Sequence, residues 1–114
     1  MQMNKIGIFT KDIKLGTIIS ERLVLSDIEF SFLERSNDLD ETYGLVIIDL
    51  NEKKFQNDIF FKDITSLKKL YIIGFMKKVL KKNNDYYKAM GCNMIISSIG
   101  IVKNIQSIIK EVLD

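Results

Sequence analysis

Five short apolar segments recur along this chain, with about 20 residues to each repeating unit. The segments predicted as strands are residues 5–10, 28–33, 44–49, 70–75 and 93–98. Between them the sequence predicts helices over 13–25, within 53–67, over 85–91 and over 101–113, and a short helix or loop over 36–42. Apolar strands that alternate with helices are typical of a parallel sheet covered on both faces.

This alternation predicts an α/β fold of the flavodoxin-like (βα)5 type. The expected architecture is a three-layer sandwich around a five-stranded parallel sheet of order 2-1-3-4-5. A chain of 114 residues is the length of one domain, so residues 1–114 are predicted to form a single domain. In sheets of this kind, binding sites lie at the carboxyl ends of the strands, near the point where the strand order switches.

The stretch GLVIIDLN, residues 44–51, places one acid at the end of a buried strand. Four apolar residues precede Asp49, so its carboxylate is predicted to emerge at the carboxyl end of the third strand. The residues expected around it follow the neighbouring strands: Thr10, Lys11, Gly74 and Ser98. The sequence therefore predicts a polar site centred on Asp49.

Composition and charge exclude several classes of function. The net charge of +2 is far below that of a typical nucleic-acid binder, and no apolar run approaches the roughly 20 residues that span a bilayer. Cys92 is the only cysteine and there is no histidine, so an internal disulfide and a Cys–His nucleophile are both excluded. These features favour a cytoplasmic protein, and the absence of GxGxxG argues against a dinucleotide cofactor.

Over essentially its whole length the sequence resembles the receiver domain of bacterial and archaeal response regulators. The resemblance rests on the length, the five-unit alternation, GLVIIDLN as the phospho-acceptor strand, and KAMGCNMIISS, residues 88–98. The last stretch is similar to the end of the receiver's fourth helix as it runs into the fifth strand. The resemblance implies a domain of two-component signal transduction, in which an aspartate is phosphorylated in a phosphorelay.

Receiver chemistry, as the resemblance implies it, uses an acidic pair and an acceptor aspartate to hold Mg²⁺, a Thr or Ser after strand 4, and a Lys after strand 5. Asp49 matches the acceptor, and Asn51 matches the position whose backbone carbonyl contacts the metal. The acidic pair falls on Thr10 and Lys11. If the register slips by one residue, Asp12 supplies one acid.

The remaining receiver positions are also changed. Gly74 stands at the switch hydroxyl, Ser98 at the lysine, and Ile99 at the usual proline. Without the extra carboxylates, Mg²⁺ should bind weakly, so no cofactor is predicted. Lys11 is predicted to pair with Asp49 and to stand where the metal would be.

Two further features concern binding surfaces. The run KKVLKK, residues 77–82, is interpreted as a solvated charged face, with binding of a phosphate or an acidic partner as the alternative. Tyr86 and Tyr87 lie on the predicted helix 85–91, where one is expected to pack and the other to be exposed. Two interpretations of these tyrosines, an interface anchor and the edge of the core, are given equal weight.

The sequence thus predicts a degenerate receiver, or pseudo-receiver, that is not an enzyme and acts as a phosphorylation-independent protein-interaction module. The resemblance implies that its partner surface is formed by the fourth helix, fifth strand and fifth helix, with homodimerisation as one use of it. No nucleic acid and no membrane is expected as a partner. Two alternatives stay open: a receiver still phosphorylated on Asp49, and a flavodoxin-like domain that binds a small anion near Lys11 and Lys77.

Overall fold

A parallel sheet forms the centre of the molecule, and the computed structural model describes residues 4–67 and 69–113. The strands are β1 (Lys5–Phe9), β2 (Phe30–Phe32), β3 (Tyr43–Asp49), β4 (Tyr71–Met76) and β5 (Met94–Ser97). The α-helices are α1 (Ile13–Leu25), α2 (Asp58–Thr65), α3 (Lys81–Ala89) and α4 (Ser98–Leu113). Two 3₁₀ turns, Ser36–Asp38 and Lys53–Phe55, complete the described elements.

The sheet has the order β2-β1-β3-β4-β5, and every neighbouring pair is parallel. This confirms the predicted flavodoxin-like topology. The central strand β3 is buried along its whole length, as its unbroken apolar sequence predicts. Because the switch in strand order falls between β1 and β3, the carboxyl ends of these two strands flank a natural site.

Residues 36–42 were predicted as a short helix or loop, and only a 3₁₀ turn lies between β2 and β3, so four of the five strand units are followed by an α-helix. The segment 34–42 contains a single apolar residue, Leu39, so it has no apolar stripe with which a helix could pack. Asp38 accepts hydrogen bonds from two earlier backbone N–H groups, at 3.0 and 3.3 Å. Such side-chain bonds to the backbone favour turns over helices.

Two apolar clusters, one on each face of the sheet, make the three-layer arrangement. The first lies under α2 and α3 and is rich in aromatic side chains, which include Phe9, Phe55, Phe60, Phe61 and Tyr87. The second lies under α1 and α4 and is largely aliphatic, with Ile6, Ile8, Ile19, Ile101 and Ile105 among its members. Within the described ranges, no helix is both long and apolar enough to cross a membrane.

The helix ends agree with the sequence signals at some positions and differ at others. Asp12 caps α1 as predicted, because its carboxylate accepts the backbone N–H of Leu15 at 3.0 Å. Gly91 follows α3 with φ +121°, a conformation that favours glycine. Helix α3 begins four residues earlier than predicted. The prediction missed its first turn because these residues are all polar and contribute nothing to an apolar stripe.

Candidate functional site

Asp49 closes β3, and its side chain is the buried charged group of the described chain, with 3% of its surface exposed. Its strand neighbour in β4 is Phe75. A carboxylate taken out of water is costly unless hydrogen bonds replace its hydration. The groups around Asp49 therefore decide both its stability and its chemistry.

Three hydrogen bonds surround the Asp49 carboxylate, and all come from neutral groups. The hydroxyl of Thr10 donates to Oδ2 at 2.8 Å. The backbone N–H and the side-chain Nδ2 of Asn51 both donate to Oδ1 at 2.9 Å. Both oxygens are thus engaged by protein donors, and the prediction that Thr10 lies beside Asp49 is confirmed.

The Asn51 side chain also joins two loops at the carboxyl edge of the sheet. Its Nδ2 donates to Asp49, while its Oδ1 accepts the backbone N–H of Lys77 at 2.9 Å. The resemblance implied a role only for the backbone carbonyl of Asn51, so this role of its side chain was not predicted. A signal was present, because an aspartate commonly accepts the backbone N–H two residues further on in an Asx turn.

Asp12, the acid that a shifted register would supply, is committed to another task. Its carboxylate caps α1, and its backbone N–H donates to the Thr10 hydroxyl at 3.1 Å. Thr10 therefore accepts from Asp12 and donates to Asp49. These two hydrogen bonds connect the start of α1 to the end of β3 through the Thr10 hydroxyl. This hydroxyl stands where the resemblance implies an acidic metal ligand.

The predicted pair between Lys11 and Asp49 is wrong. Lys11 is exposed, and no ion pair joins these two residues, although both lie in the described part of the chain. The physical reason is that the Thr10 hydroxyl occupies Oδ2, so the carboxylate has a donor that costs no desolvation of an ammonium group. Lys11 keeps its hydration instead.

Gly74 does not stand after β4, where the switch hydroxyl was expected. It lies inside the strand, paired with Ile48 and Ile95, and Met76 is the last strand residue. A Cβ at position 74 would lie 2.5 Å from Cδ1 of Leu50, which is fully buried. The glycine is therefore explained by the packing of the Leu50 side chain.

Ser98 was predicted as the last residue of the fifth strand, but it is the first residue of α4, which begins three residues earlier than predicted. Its hydroxyl oxygen is buried and has no hydrogen-bond partner among the described residues. The next residue, Ile99, is 69% exposed. Neither position offers the positive charge that a phosphoryl group would need at the end of β5.

The residues around Asp49 do not fit a Mg²⁺ site. This cation requires a near-octahedral set of oxygen ligands and is held in proteins mainly by carboxylates. Here Asp49 faces a hydroxyl and an amide that donate to it. Over residues 4–67 and 69–113, no group of three His, Cys, Asp or Glu side chains is placed to hold a metal ion.

The two tyrosines of α3 divide as predicted. Tyr87 is buried and its ring lies 5.9 Å from that of Phe61, whereas Tyr86 is 52% exposed and meets Tyr87 edge-on at 5.0 Å. Burial raises the pKa of the Tyr87 hydroxyl. The exposed Tyr86 is therefore the residue of this pair that is available to a partner.

Cys92 is buried as predicted, and burial raises the pKa of its thiol from 9.0 to about 12. At about pH 8 we expect iodoacetamide to alkylate the folded protein at least about a hundredfold more slowly than the urea-unfolded chain, since the thiolate is the nucleophile. Mass spectrometry over time measures both rates. Equal rates would show that the thiol is open to solvent.

The same shift gives a pH dependence with a definite sign. The unfolded thiol loses its proton near 9.0 and the folded thiol near 12. Below pH 9 the thiol favours neither state, whereas between these values the unfolded chain alone is deprotonated, so the free energy of unfolding falls as the pH rises. In Cys92→Ala this part of the alkaline loss should be absent.

No protein-family model matches the sequence, and the search of curated proteins gives no match. Solved structures do match. The activated receiver domain of Klebsiella pneumoniae RstA is 20% identical with a TM-score of 0.77, covering 96% of this chain and 98% of its own. The Vibrio cholerae chemotaxis protein CheY4 is 15% identical with a TM-score of 0.80, covering 97% and 99%.

A third similar structure contains a partner. The receiver domain of Saccharomyces cerevisiae Ssk1, in a co-crystal with the histidine phosphotransfer protein Ypd1, is 12% identical with a TM-score of 0.82. The match covers 96% of this chain and 88% of the receiver. Strand order, the acid at the end of β3 and these matches agree, and the chain has the fold of the response-regulator receiver domains.

Proposed function

We propose that this chain is a degenerate receiver that acts as a phosphorylation-independent protein-interaction module in cytoplasmic signal transduction. It is not an enzyme in this proposal. The observation that carries it is the environment of Asp49, whose two oxygens accept hydrogen bonds from Thr10 and Asn51 and, among residues 4–67 and 69–113, form no ion pair with a cationic side chain. A closed, neutral set of donors stabilises one conformation of the site.

The chemistry of phosphoryl transfer supports the proposal. Negative charge on the transferred group must be compensated, and fixed cations or metal ions supply most of that compensation. Thr10 provides a neutral hydroxyl at a position where the resemblance implies an acid. Ser98 is uncharged, whereas the resemblance implies a lysine at its position. Lys11, which follows Thr10 in the sequence, is exposed and makes no ion pair with Asp49.

A protein partner is supported by the fold and by one exposed aromatic side chain. The Ssk1 receiver, which has this fold, was crystallised with a phosphotransfer protein. On the present chain the surface formed by α3, β5 and α4 carries Tyr86, an exposed aromatic of the kind that anchors interfaces. We propose this surface as the contact for a protein partner, with homodimerisation as one form of it.

Intact-mass measurement after incubation with acetyl phosphate tests the absence of phosphorylation. The wild type and Asp49→Asn are compared with and without Mg²⁺, and a phosphorylatable receiver serves as the positive control. We expect no adduct on either protein, because the charge on the phosphoryl group is not compensated. A Mg²⁺-dependent adduct on the wild type that disappears in Asp49→Asn would instead establish the phosphorelay alternative.

A further inference from the structure

The segment that leads from the end of β4 into the first turn of α3 contains four lysines around one exposed leucine. We call residues 77–82 the lysine segment. Its lysines are all exposed: Lys77, Lys78, Lys81 and Lys82. Leu80, at its centre, has 42% of its surface exposed. The segment thus presents positive charge and apolar surface together, a combination that the site around Asp49 does not use.

The backbone of the lysine segment is fixed at both ends. At the start, the N–H of Lys77 donates to Oδ1 of Asn51 at 2.9 Å. At the end, the carbonyl of Leu80 accepts the N–H groups of Asn83 and Asn84, both at 3.0 Å. The lysines therefore project from an ordered frame, and binding there orders less backbone than a flexible basic tail would.

The electrostatics of α3 leave this segment unbalanced in the free protein. Leu80 is the N-cap residue and offers no side-chain acceptor, and the first turn of α3 contains no acid. Lys81 and Lys82 thus lie at the positive end of the helix dipole, where anionic groups are favoured. Lys81 has one exposed ion pair, with Asp85 at 3.5 Å. Carboxylates from outside would complement this end of the helix.

The surface next to the lysine segment also exposes lysines and apolar side chains. Further exposed lysines lie at the same carboxyl edge of the sheet, at the start of α1 and after β3: Lys11, Lys14, Lys53 and Lys54. Exposed isoleucines lie in the first turns of α1 and α4 at this edge, with Ile13 86% and Ile99 69% exposed. An edge that is both basic and apolar matches a partner surface that is both acidic and apolar.

We propose that the lysine segment docks an acidic, leucine-bearing segment of a partner protein. Leu80 is the apolar anchor, and the lysines around it select for glutamate and aspartate and steer the encounter. A nucleic acid fits less well, because the segment exposes no aromatic side chain on which bases could stack and the chain's net charge is only +2. The proposal rests on the proposed function as an interaction module and names its partner chemistry.

Fluorescence anisotropy with two synthetic peptides tests the proposal. One labelled peptide carries glutamates interspersed with leucines, and the other has serine in place of each leucine. The double variant Lys77→Glu/Lys78→Glu should bind the leucine peptide at least about tenfold more weakly than the wild type. The matched control Lys62→Glu/Lys69→Glu changes the net charge equally, on α2 and just before β4, outside the lysine segment and the α3–β5–α4 surface, and should stay within about twofold.

Two single variants separate anchoring from charge. Leu80→Ser should remove the preference for the leucine peptide, while Asn51→Ala should weaken binding because it releases the backbone of Lys77 without altering any charge. Circular dichroism confirms that each variant is folded. The proposal is overturned if the two double variants bind alike or if the serine peptide binds as tightly as the leucine peptide.

Two other occupants are also distinguished. A single-stranded oligonucleotide that binds more tightly than the leucine peptide would overturn the proposal, as would self-association in sedimentation velocity that is lost in the Lys77/Lys78 variant. All titrations use protein of unmodified mass, so their outcome does not depend on whether Asp49 accepts a phosphoryl group. If the peptide does not bind the lysine segment, the proposed function as a phosphorylation-independent module is unaffected. If the mass measurement detects a phosphoryl adduct, the peptide titrations can still be interpreted.

Discussion

The triple variant Thr10→Asp/Lys11→Asp/Ser98→Lys is expected to gain Mg²⁺-dependent phosphorylation on Asp49. Two new carboxylates directly after β1, the first of them at the position that contacts Asp49, would supply the oxygen ligands that Mg²⁺ prefers, and a lysine after β5 would compensate the phosphoryl charge. Intact mass with acetyl phosphate measures the adduct. The expected change is from no detectable adduct to one that requires the metal.

A thermal melt of the same variant gives an independent measurement. Without metal, the crowded carboxylates repel each other and the variant should melt below the wild type. Added Mg²⁺ should raise its melting temperature, because the metal binds the folded state alone, and should leave the wild type unchanged. Thr10→Ala/Lys11→Ala is the control without added acids. If the triple variant responds to Mg²⁺ no more than this control, the missing acids do not explain the degeneracy.

Phe9→Ala should remove about 3 to 5 kcal/mol from the free energy of unfolding. Phe9 ends β1, is fully buried, and its ring lies 5.4 Å from that of Phe55 and 5.0 Å from that of Phe60. Its truncation leaves a cavity that two other aromatic rings cannot fill without moving. Urea denaturation followed by far-ultraviolet circular dichroism measures the loss, because the chain has no tryptophan.

The matched control is Phe32→Ala, since Phe32 ends the neighbouring strand β2 and is 50% exposed. Its substitution should cost less than about 1.5 kcal/mol, as half of its surface already meets water. Equal losses for the two variants would contradict the assignment of Phe9 to the aromatic cluster. A typical domain has only about 5 to 15 kcal/mol of stability in total, so Phe9→Ala should be close to unfolding at moderate urea concentrations.

Much of the fold could be predicted because continuous apolar runs mark its interior strands in the sequence. The sequence of β3 is apolar up to Asp49. Asp12, as an N-cap residue, predicted the first residue of α1 correctly. Between β2 and β3 the sequence left a short helix and a loop open, because the (βα)5 prediction came from the alternation of the other units. The polar sequence around Leu39 argued for a turn, and the turn is what forms.

The site was harder to predict than the fold, because it depends on side-chain choices between competing partners. The sequence brought Thr10, Asn51 and Asp49 to one edge, and they are in contact. It could not say whether Lys11 or a hydroxyl would satisfy the carboxylate, since that balance is set by the desolvation of an ammonium group. Gly74 was assigned to the wrong position because the sequence alone does not distinguish a glycine that makes room for Leu50 from a glycine that replaces the switch hydroxyl.

The order of the strands also has a consequence for how the chain folds. Every strand pair is parallel, so no two strands can meet through a tight hairpin, and each pairing must close a long loop first. Strand β1 pairs with β3 across the whole of α1 and β2, so the central ladder waits until β3 has been synthesised. Folding of such a sheet is expected to be slow for its length. The three-residue β2 pairs only with β1, so it is placed to join the sheet late and to leave it first.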